Sequence, residues 1–359
     1  MNLLSIVIFI MICFSGYAQS PHFIKRIRHI RKEEKLESQK IDEYTHAIFN
    51  ILEKYRLDYD IDRLISGERQ VPKTITYSGK PDLLKKIRHF VEEKRKISLF
   101  LPAFPFKAPS RLRTISDKPD MAERVGLETL YHLLQDIEKV YPIGGEIAIL
   151  SSGQLLADIF DLSDETLKTY EILLKKLASD LKGLKIMSFS EYLGTSSAKE
   201  AREKAEEMVP TCLEKTKEII YKDFTAFRFL CSLIEARIPC PSYQRVKMMG
   251  LKLLERQLKL RKIINLINDP DIIRLSVHMH DDISKYFGIK LCENSSCTPW
   301  LGVLVVEADG SKRIIAYKDI NKKEYKRLVE TVNGVPCPFY KSKHLIKGAG
   351  SLSSTGQKG

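Results

Sequence analysis

The densest group of residues that could do chemistry lies in RLSVHMHDD, at 274–282. His278 and His280 are two residues apart, so both side chains would face the same side of an extended chain. Together with Asp281 or Asp282 they could ligate a metal such as zinc or iron. One histidine could instead act as a general acid or base near neutral pH, with the other incidental. The segment predicts a reactive position, and both interpretations stay open.

Two further segments place charges where a ligand could use them. LFLPAFPFKAPS, at 99–110, holds Lys107 as a lone charge among prolines and aromatic side chains. PDMAER, at 119–124, places Asp120 and Glu123 three residues apart at a helix start. On one helical face these acids could bind an ammonium group or relay protons. Acids are also common in a first helical turn because of the helix dipole, and the spacing alone favours this second interpretation.

The reactive segments follow or begin elements that can be predicted from apolar spacing. Strands are predicted at Ile97–Leu101, Glu146–Leu150, Ile186–Ser188 and Asp271–Val277, and a hairpin at Trp300–Glu307 with Lys312–Tyr317. Helices are predicted at 21–40, 41–69, 81–95, 119–140, 165–181 capped by Asp164, 198–237 and 242–266. This alternation predicts an α/β fold, with a mostly parallel sheet flanked by helices and additional helical segments.

Ligands of open α/β sheets bind outside the carboxyl ends of the strands. Lys107 follows the first predicted strand, Ser152 and Asp158 follow the second, and His278 follows the later one. Arg274, inside that later strand, would be costly to bury unpaired, so it predicts an acidic partner or an anionic ligand. We therefore expect these residues to meet at one edge of the sheet.

The composition is that of a globular protein with a basic excess, since the formal net charge is +13 and the pI is near 9.2. A basic excess suits anionic partners, although lysines mixed with glutamates favour solvated helix faces. No aromatic RNA-binding motif is present, so no nucleic-acid partner is expected. The usual dinucleotide, P-loop, serine-hydrolase and HExxH zinc signatures are also missing, which removes support for those enzyme classes.

The N-terminus resembles a secretory signal, predicted at residues 1–18. An apolar run from Leu3 to Phe14 precedes Gly16-Tyr17-Ala18, a small-x-small cleavage pattern. The run is short for a stable membrane span, and an uncleaved anchor or a buried helix is the alternative. The signal predicts a secretory location, or a cytoplasmic one if it is not used.

The cysteines allow disulfides but do not indicate a zinc site, because no CxxC pair occurs. Cys292 and Cys297 are close enough in sequence to bridge a loop, and a glycosylation sequon begins at Asn294 between them.

Several segments together resemble the pyoverdine/dityrosine biosynthesis family, whose characterised bacterial members are isonitrile synthases. They are LPAFPFKAPS, KPDMAERVGLETL, YPIGGEIAILSSGQLLADIFDLSDETLKTY, YKDFTAFRFL, RLSVHMHDDISKYFGIKL and SSCTPWLGVLVVEADGS, in this order between Ile97 and Ser311. The resemblance implies a Rossmann-like core. It also implies an enzyme that joins the amine of tyrosine or tryptophan to a carbon from ribulose 5-phosphate, without a cofactor or metal. A fungal branch forms N-formyl tyrosine instead, and an iron/2-oxoglutarate oxygenase often acts next on the isonitrile.

The resemblance implies roles for the residues singled out above. Lys107, Glu123 and His278 would be catalytic, with Lys107 either a base or imine former of lowered pKa or a phosphate ligand. The substrate-binding residues would be Phe104, Phe106, Asp120, Asp158, Arg274, Lys285 and Trp300.

Two positions depart from the family pattern. The family usually has Ser-Asp-Gly where this chain has Ser151-Ser152-Gly153, and Thr-Pro-Trp-His where this chain has Thr298-Pro299-Trp300-Leu301. Either the substrate differs or the activity is weakened, which would leave a ligand-binding homologue. The predicted domain plan is a signal at 1–18, a helical region at 19–95, the catalytic α/β domain at 96–347 and a disordered tail at 348–359.

Overall fold

The protein is described here by a computed structural model that covers residues 21–57, 78–210, 234, 242–267, 271–278, 280, 282–293 and 295–350. The α-helices are α1 Pro21–Lys54, α2 Lys80–Glu92, α3 Met121–Val140, α4 Gly153–Leu156, α5 Asp164–Leu177, α6 Phe189–Leu193, α7 Ala198–Met208, α8 Tyr243–Ile267 and α9 Lys343–Gly350. The strands are β1 Ile97–Pro102, β2 Gly145–Ser151, β3 Leu184–Ser188, β4 Ile273–Ser276, β5 Phe287–Gly288, β6 Val303–Val306, β7 Lys312–Ile315, β8 Tyr325–Val332 and β9 Val335–Ser342. Short 3₁₀ turns cover Ala157–Ile159, Pro299–Leu301 and Tyr317–Asp319.

The main sheet has five strands in the order β3-β2-β1-β4-β5, and every pairing in it is parallel. This confirms the α/β fold predicted from the sequence. The chain moves outward from β1 through β2 to β3 and then returns to place β4 on the other side of β1. The strand order therefore reverses between β1 and β4, which is the position where such sheets bind ligands.

Both faces of this sheet are covered because side chains along a strand alternate between its two faces. Leu99 and Leu101 of β1 lie in the core that contains buried residues of α1, α2, α3 and α5. Phe100, between them, packs into a second core with Leu150, Phe189 and residues of α7 and α8. The apolar run at 97–101 thus has the continuous hydrophobic pattern of a strand buried on both sides.

A second sheet, which the sequence reasoning missed in part, has the order β7-β6-β9-β8. The predicted hairpin is present as the antiparallel pair β6 and β7. The second hairpin, β8 with β9, was not predicted. Its signal was Asn333-Gly334, a two-residue loop whose φ angles are 51° and 77°, as a tight hairpin turn requires.

Some local predictions need correction. The helices expected at 21–40 and 41–69 form one helix, α1, and residues 58–77 lie outside the described part. The cap of α5 is Ser163, whose hydroxyl accepts from Thr166 N, and Asp164 is the first helical residue. Trp300 lies in a 3₁₀ turn before β6, because Pro299 cannot join a strand ladder.

The disulfide that the spacing of Cys292 and Cys297 allowed is not formed, since both are buried free thiols. Each thiol donates to a backbone carbonyl, that of Lys312 for Cys292 and that of Ile314 for Cys297. The predicted signal at 1–18 and the sequon residue Asn294 lie outside the described residues. Of the tail predicted at 348–359, residues 348–350 belong to α9, and residues 351–359 also lie outside the described part. None of the described helices is both long and apolar enough to cross a bilayer.

Candidate active site

A cavity of about 190 Å³ lies outside the carboxyl ends of β1 and β4, where the strand order reverses. Its floor is formed by Pro102 and Ala103 at the end of β1 and by Leu275 and Ser276 of β4. Cavities that hold drug-sized ligands measure about 300–1,000 Å³, so this one suits a compact ligand. Of the polar residues that follow the predicted strands, Ser152 and His278 line this cavity, whereas Lys107 and Asp158 do not.

One face of α8 forms the roof of the cavity. Leu253, Gln257, Leu260, Arg261 and Ile264 line it, at spacings that put them on one side of a helix. Among the described residues, Arg261 has no carboxylate partner, so its guanidinium is available to an anionic ligand. The sequence reasoning missed Arg261, although its place in this helical stripe was visible in the sequence.

The proline loop after β1 is fixed by its neighbours. Phe104 has a left-handed φ of 53°, which is strained for an aromatic residue. The Ser151 hydroxyl donates to the Phe104 carbonyl at 2.9 Å, and the Phe104 ring meets the edge of Trp300 at 5.2 Å between centroids. A Cβ on Gly153 would lie 1.9 Å from the Pro105 carbonyl oxygen, so only glycine allows this approach.

The two histidines both line the cavity. The ring of His280 is within 2.9 Å of the Ser276 hydroxyl and stacks on Tyr286 at 5.0 Å. His278 follows directly after the floor, with its backbone N–H donating to the same hydroxyl at 3.1 Å. The structure therefore brings His278 and Trp300 to one cavity, as the sequence predicted.

Among the described residues, the alternative metal site at His278 and His280 has no third ligand. The carboxylate of Asp282 accepts from the Ser284 hydroxyl at 2.6 Å and pairs with Lys285 at 3.0 Å. Asp281 lies outside the described residues. Within the parts of the chain that the structure covers, no group of three or more potential metal ligands occurs.

Lys107 lies behind the cavity wall, in a buried cluster with the two acids of α3. Its Nζ is 2.7 Å from Glu123 Oε2, 3.0 Å from Asp120 Oδ1 and 3.0 Å from the Pro299 carbonyl oxygen. The acids also form a capping box at the start of α3, where Asp120 accepts from Ala122 N. Asp120 and Glu123 therefore do both things that the sequence allowed: they cap the helix, and they bind an ammonium group, that of Lys107.

Of the two roles left open for Lys107, the one that requires a lowered pKa is not supported. Burial lowers the pKa of Lys107, but the attraction of Asp120 and Glu123 outweighs it, and the pKa lies above its ordinary value. Burial likewise raises the pKa of Glu123 to about 8, against the opposing effect of Lys107. The Tyr170 hydroxyl donates a hydrogen bond to Glu123 Oε1 at 3.3 Å.

The other residues predicted to bind the substrate differ in their position relative to the cavity. Phe104 and Phe106 are buried beneath the wall, where Phe106 packs on Phe160 at 5.1 Å. Three others do not line the cavity: Asp158 pairs with Arg256, Arg274 bonds Asn265 on α8, and Lys285 is 77% exposed. Trp300 is the predicted binding residue that the structure places on the cavity wall.

Both positions that depart from the family pattern line the cavity. Ser152 stands near the end of β2, and Leu301 stands beside Trp300. At these positions, where the family resemblance implies a carboxylate and an imidazole, this chain has a hydroxyl and an isobutyl group. Among the described residues, the cavity lining is apolar and aromatic, with one cation, two histidines and several hydroxyl groups.

Comparison with known proteins gives evidence on the family and the fold of this chain. A family model described as "Pyoverdine/dityrosine biosynthesis protein" matches residues 87–232 and 241–328. An L-tyrosine isonitrile synthase from Xenorhabdus nematophila is 27% identical over 286 residues, covering 71% of this chain and 81% of the relative. An L-tryptophan isonitrile synthase from Fischerella ambigua is 24% identical over 239 residues, covering 62% of this chain and 72% of the relative. The crystal structure of PvcA from Pseudomonas aeruginosa matches with a TM-score of 0.69 and 22% identity, over 83% of this chain and 99% of that one, which supports the fold.

Proposed function

Because the chain belongs to the pyoverdine/dityrosine biosynthesis family, we propose that it is an isonitrile synthase acting on an aromatic amino acid, tyrosine or tryptophan. The observation that carries the proposal is the cavity between β1 and β4, which combines an aromatic wall at Trp300, a cation at Arg261 and the two histidines. Relatives of this chain are named as synthases for these two amino acids.

Each part of the cavity suits one part of an aromatic amino acid. The apolar roof and the Trp300 ring can pack against the aromatic side chain. Arg261 can bind the carboxylate through paired hydrogen bonds. The amine would then lie near the histidines on the floor, with His278 as the group that removes its proton.

We further propose that the carbon comes from ribulose 5-phosphate, as the family resemblance implies. In the first step the amine nitrogen attacks the ketone carbon, a C–N bond forms, and the ketone oxygen leaves as water to give an imine. His278 suits the proton transfers of this step, because an imidazole exchanges protons near neutral pH. Arg261 would also bind a phosphate, so substrate carboxylate and donor phosphate could compete for it.

The direct test incubates the purified chain with ribulose 5-phosphate and either L-tyrosine or L-tryptophan. Mass spectrometry of the products should show an isonitrile derived from one of the two amino acids. An N-formyl amino acid would instead indicate the dityrosine type of activity. If the protein forms neither product under conditions where a bacterial relative is active, the proposal fails.

A second candidate function is a ligand-binding homologue with weak or no turnover. It is favoured by Ser152 and Leu301, since both departures from the family pattern lie on the cavity wall. Ligand-dependent thermal stabilisation without product would support it. The double substitution Ser152→Asp with Leu301→His decides between the candidates, because it should raise turnover only if the departures weakened the enzyme.

We also propose that residues 1–18 direct the chain to the secretory pathway. That location needs an explanation for the carbon donor, since ribulose 5-phosphate is a cytosolic metabolite. N-terminal sequencing of the protein from its native source tests the proposal, and an N-terminus at Gln19 is the expected result. An intact Met1 would contradict it.

A further inference from the structure

All three N–H groups of the Lys107 ammonium are engaged by the protein. Their acceptors are Asp120 Oδ1 at 3.0 Å, Glu123 Oε2 at 2.7 Å and the carbonyl oxygen of Pro299 at 3.0 Å. An ammonium group has three donors and no acceptor. The side chain is also fully buried and does not line the cavity. No donor is left for a phosphate, and no free amine is left for a carbonyl.

The same region of the proline loop holds the turn that carries Trp300. Lys107 donates to the Pro299 carbonyl, and the next residue, Ala108, donates its backbone N–H to the Trp300 carbonyl at 2.9 Å. Two consecutive residues thus fix two consecutive carbonyls. The residues around these carbonyls, Thr298, Trp300 and Leu301, form one wall of the cavity.

Helix α3 limits the same turn from the other side. A Cβ at Gly126 would lie 2.9 Å from Pro299 Cγ and 3.3 Å from the Phe104 ring. The turn is therefore held by hydrogen bonds on one side and by close packing on the other. A displacement of a few tenths of an ångström at Pro299 would move Trp300 relative to the cavity.

We infer that Lys107 is a positioning residue, which sets the place of the Pro299–Leu301 turn and through it the Trp300 wall that receives the substrate. The inference deepens the proposed function and rests on it for the identity of the substrate. It assigns Lys107 no proton transfer and no covalent step. Asp120 and Glu123 hold the ammonium in place and connect it to the first turn of α3.

Trp300 is the only tryptophan of the 359 residues, so its fluorescence reports on this wall alone. The test variant is Lys107→Met with Asp120→Asn, which removes one positive and one negative charge together and keeps a good helix cap. Gly126→Ala adds a methyl group on α3 that would contact Pro299 of the same turn too closely. The control is Arg124→Met with Asp180→Asn, which removes another ion pair of α3, between a mostly buried guanidinium and a half-exposed carboxylate.

In both test variants we expect a red-shifted Trp300 emission and stronger quenching by acrylamide, with the control unchanged. We also expect about a tenfold weaker affinity or higher KM for L-tyrosine, with kcat reduced less, since small misplacements of a binding wall weaken recognition. An unchanged Trp300 spectrum and unchanged L-tyrosine binding in the test variants would overturn the inference. If the double variant does not fold, Gly126→Ala still tests the turn.

The unmodified protein provides a second, independent test. Treatment with ribulose 5-phosphate and borohydride should leave the peptide that contains Lys107 without a reduced adduct. A reduced adduct on Lys107 would show that Lys107 forms an imine and would contradict the positioning role. The spectra and the quenching need no turnover, so they decide this inference even if no isonitrile is formed and the proposed function fails.

Discussion

Two polar clusters lie on opposite sides of the Trp300 wall, and they differ in what their charges face. In the cavity, Arg261 has no carboxylate partner among the described residues, and the histidines line an open space. Behind the wall, Lys107 meets two carboxylates and a carbonyl and is fully buried. The first cluster can exchange ligands and protons with a substrate, while the second can only hold its neighbours. We therefore expect the cation in the cavity to serve recognition and the buried cation to serve positioning.

The largest expected effect comes from the cavity cluster. His278→Ala should lower kcat by about 10²–10⁴-fold, the usual contribution of a general acid or base. The unfolding midpoint should stay close to that of the wild type, because His278 is only partly buried. Steady-state kinetics with L-tyrosine and ribulose 5-phosphate measure the effect. His132→Ala on the exposed face of α3 is the matched control, and equal losses in both variants would contradict the role of His278.

The next effect concerns the buried cluster and is measured as stability. Lys107→Met alone should lower the free energy of unfolding by about 3–5 kcal/mol, because it leaves the buried Asp120 carboxylate without its cation. Adding Asp120→Asn should recover a large part of this loss. Denaturant unfolding of the two variants and the wild type measures both changes. A single variant as stable as the wild type would show that the cluster is not a coupled ion pair.

The sequence predicted the strands at 97–101 and 146–150 because both are short apolar runs that end in polar or proline-rich loops. It predicted His278 as a site residue because it follows such a run, whereas Trp300 was predicted from the family resemblance. It could not decide whether Lys107 is buried or lines the cavity. A lone lysine in an apolar loop gives the same sequence pattern whether it contacts a ligand or two acids of a helix that is distant in sequence. Asp120 and Glu123 are 13 and 16 positions away, and only the packing of α3 against the loop brings them to Lys107.

Arg261 is the converse case, a residue that lines the cavity but was not predicted. It is one of many charged residues in a long basic helix, where most lysines and arginines are solvated. The strand order places α8 over the ends of β1 and β4 and so puts Arg261, and not its neighbour Lys262, at the cavity. The Leu253, Leu260 and Ile264 stripe could have identified its face in advance.

Arg261 therefore gives the third prediction. Arg261→Met should weaken L-tyrosine binding by about 10- to 100-fold, as the loss of charge-assisted hydrogen bonds to a carboxylate would. Stability should change little, because the side chain is exposed and has no carboxylate partner among the described residues. Titration of Trp300 fluorescence with L-tyrosine measures the affinity. Lys262→Met, the adjacent cation, should bind as the wild type does, and an equal loss there would point to general charge attraction.

The smallest effect is a pH dependence that separates the two clusters. Burial raises the pKa of Glu123 from 4.5 to about 8, so folding favours its protonated form. The resulting stability is complete below pH 4.5 and is lost as the pH rises through about 8. Lys107 and Asp120 face this carboxyl group, with Tyr170 and Cys337 nearby, and the shifted pKa values of Lys107, Tyr170 and Cys337 lie above this range.

Glu123→Gln removes the titrating group while keeping its shape, so the stability of the variant should fall less than that of the wild type between pH 5 and pH 8. Burial also raises the pKa of Glu171 to about 7, so Glu171 likewise lowers the stability as the pH rises. Glu171→Gln is therefore the matched comparison. Urea unfolding at several pH values measures the slopes. If Glu123→Gln has the wild-type slope while Glu171→Gln does not, the buried cluster keeps its charge throughout, and Glu123 acts as a permanent anion that holds Lys107.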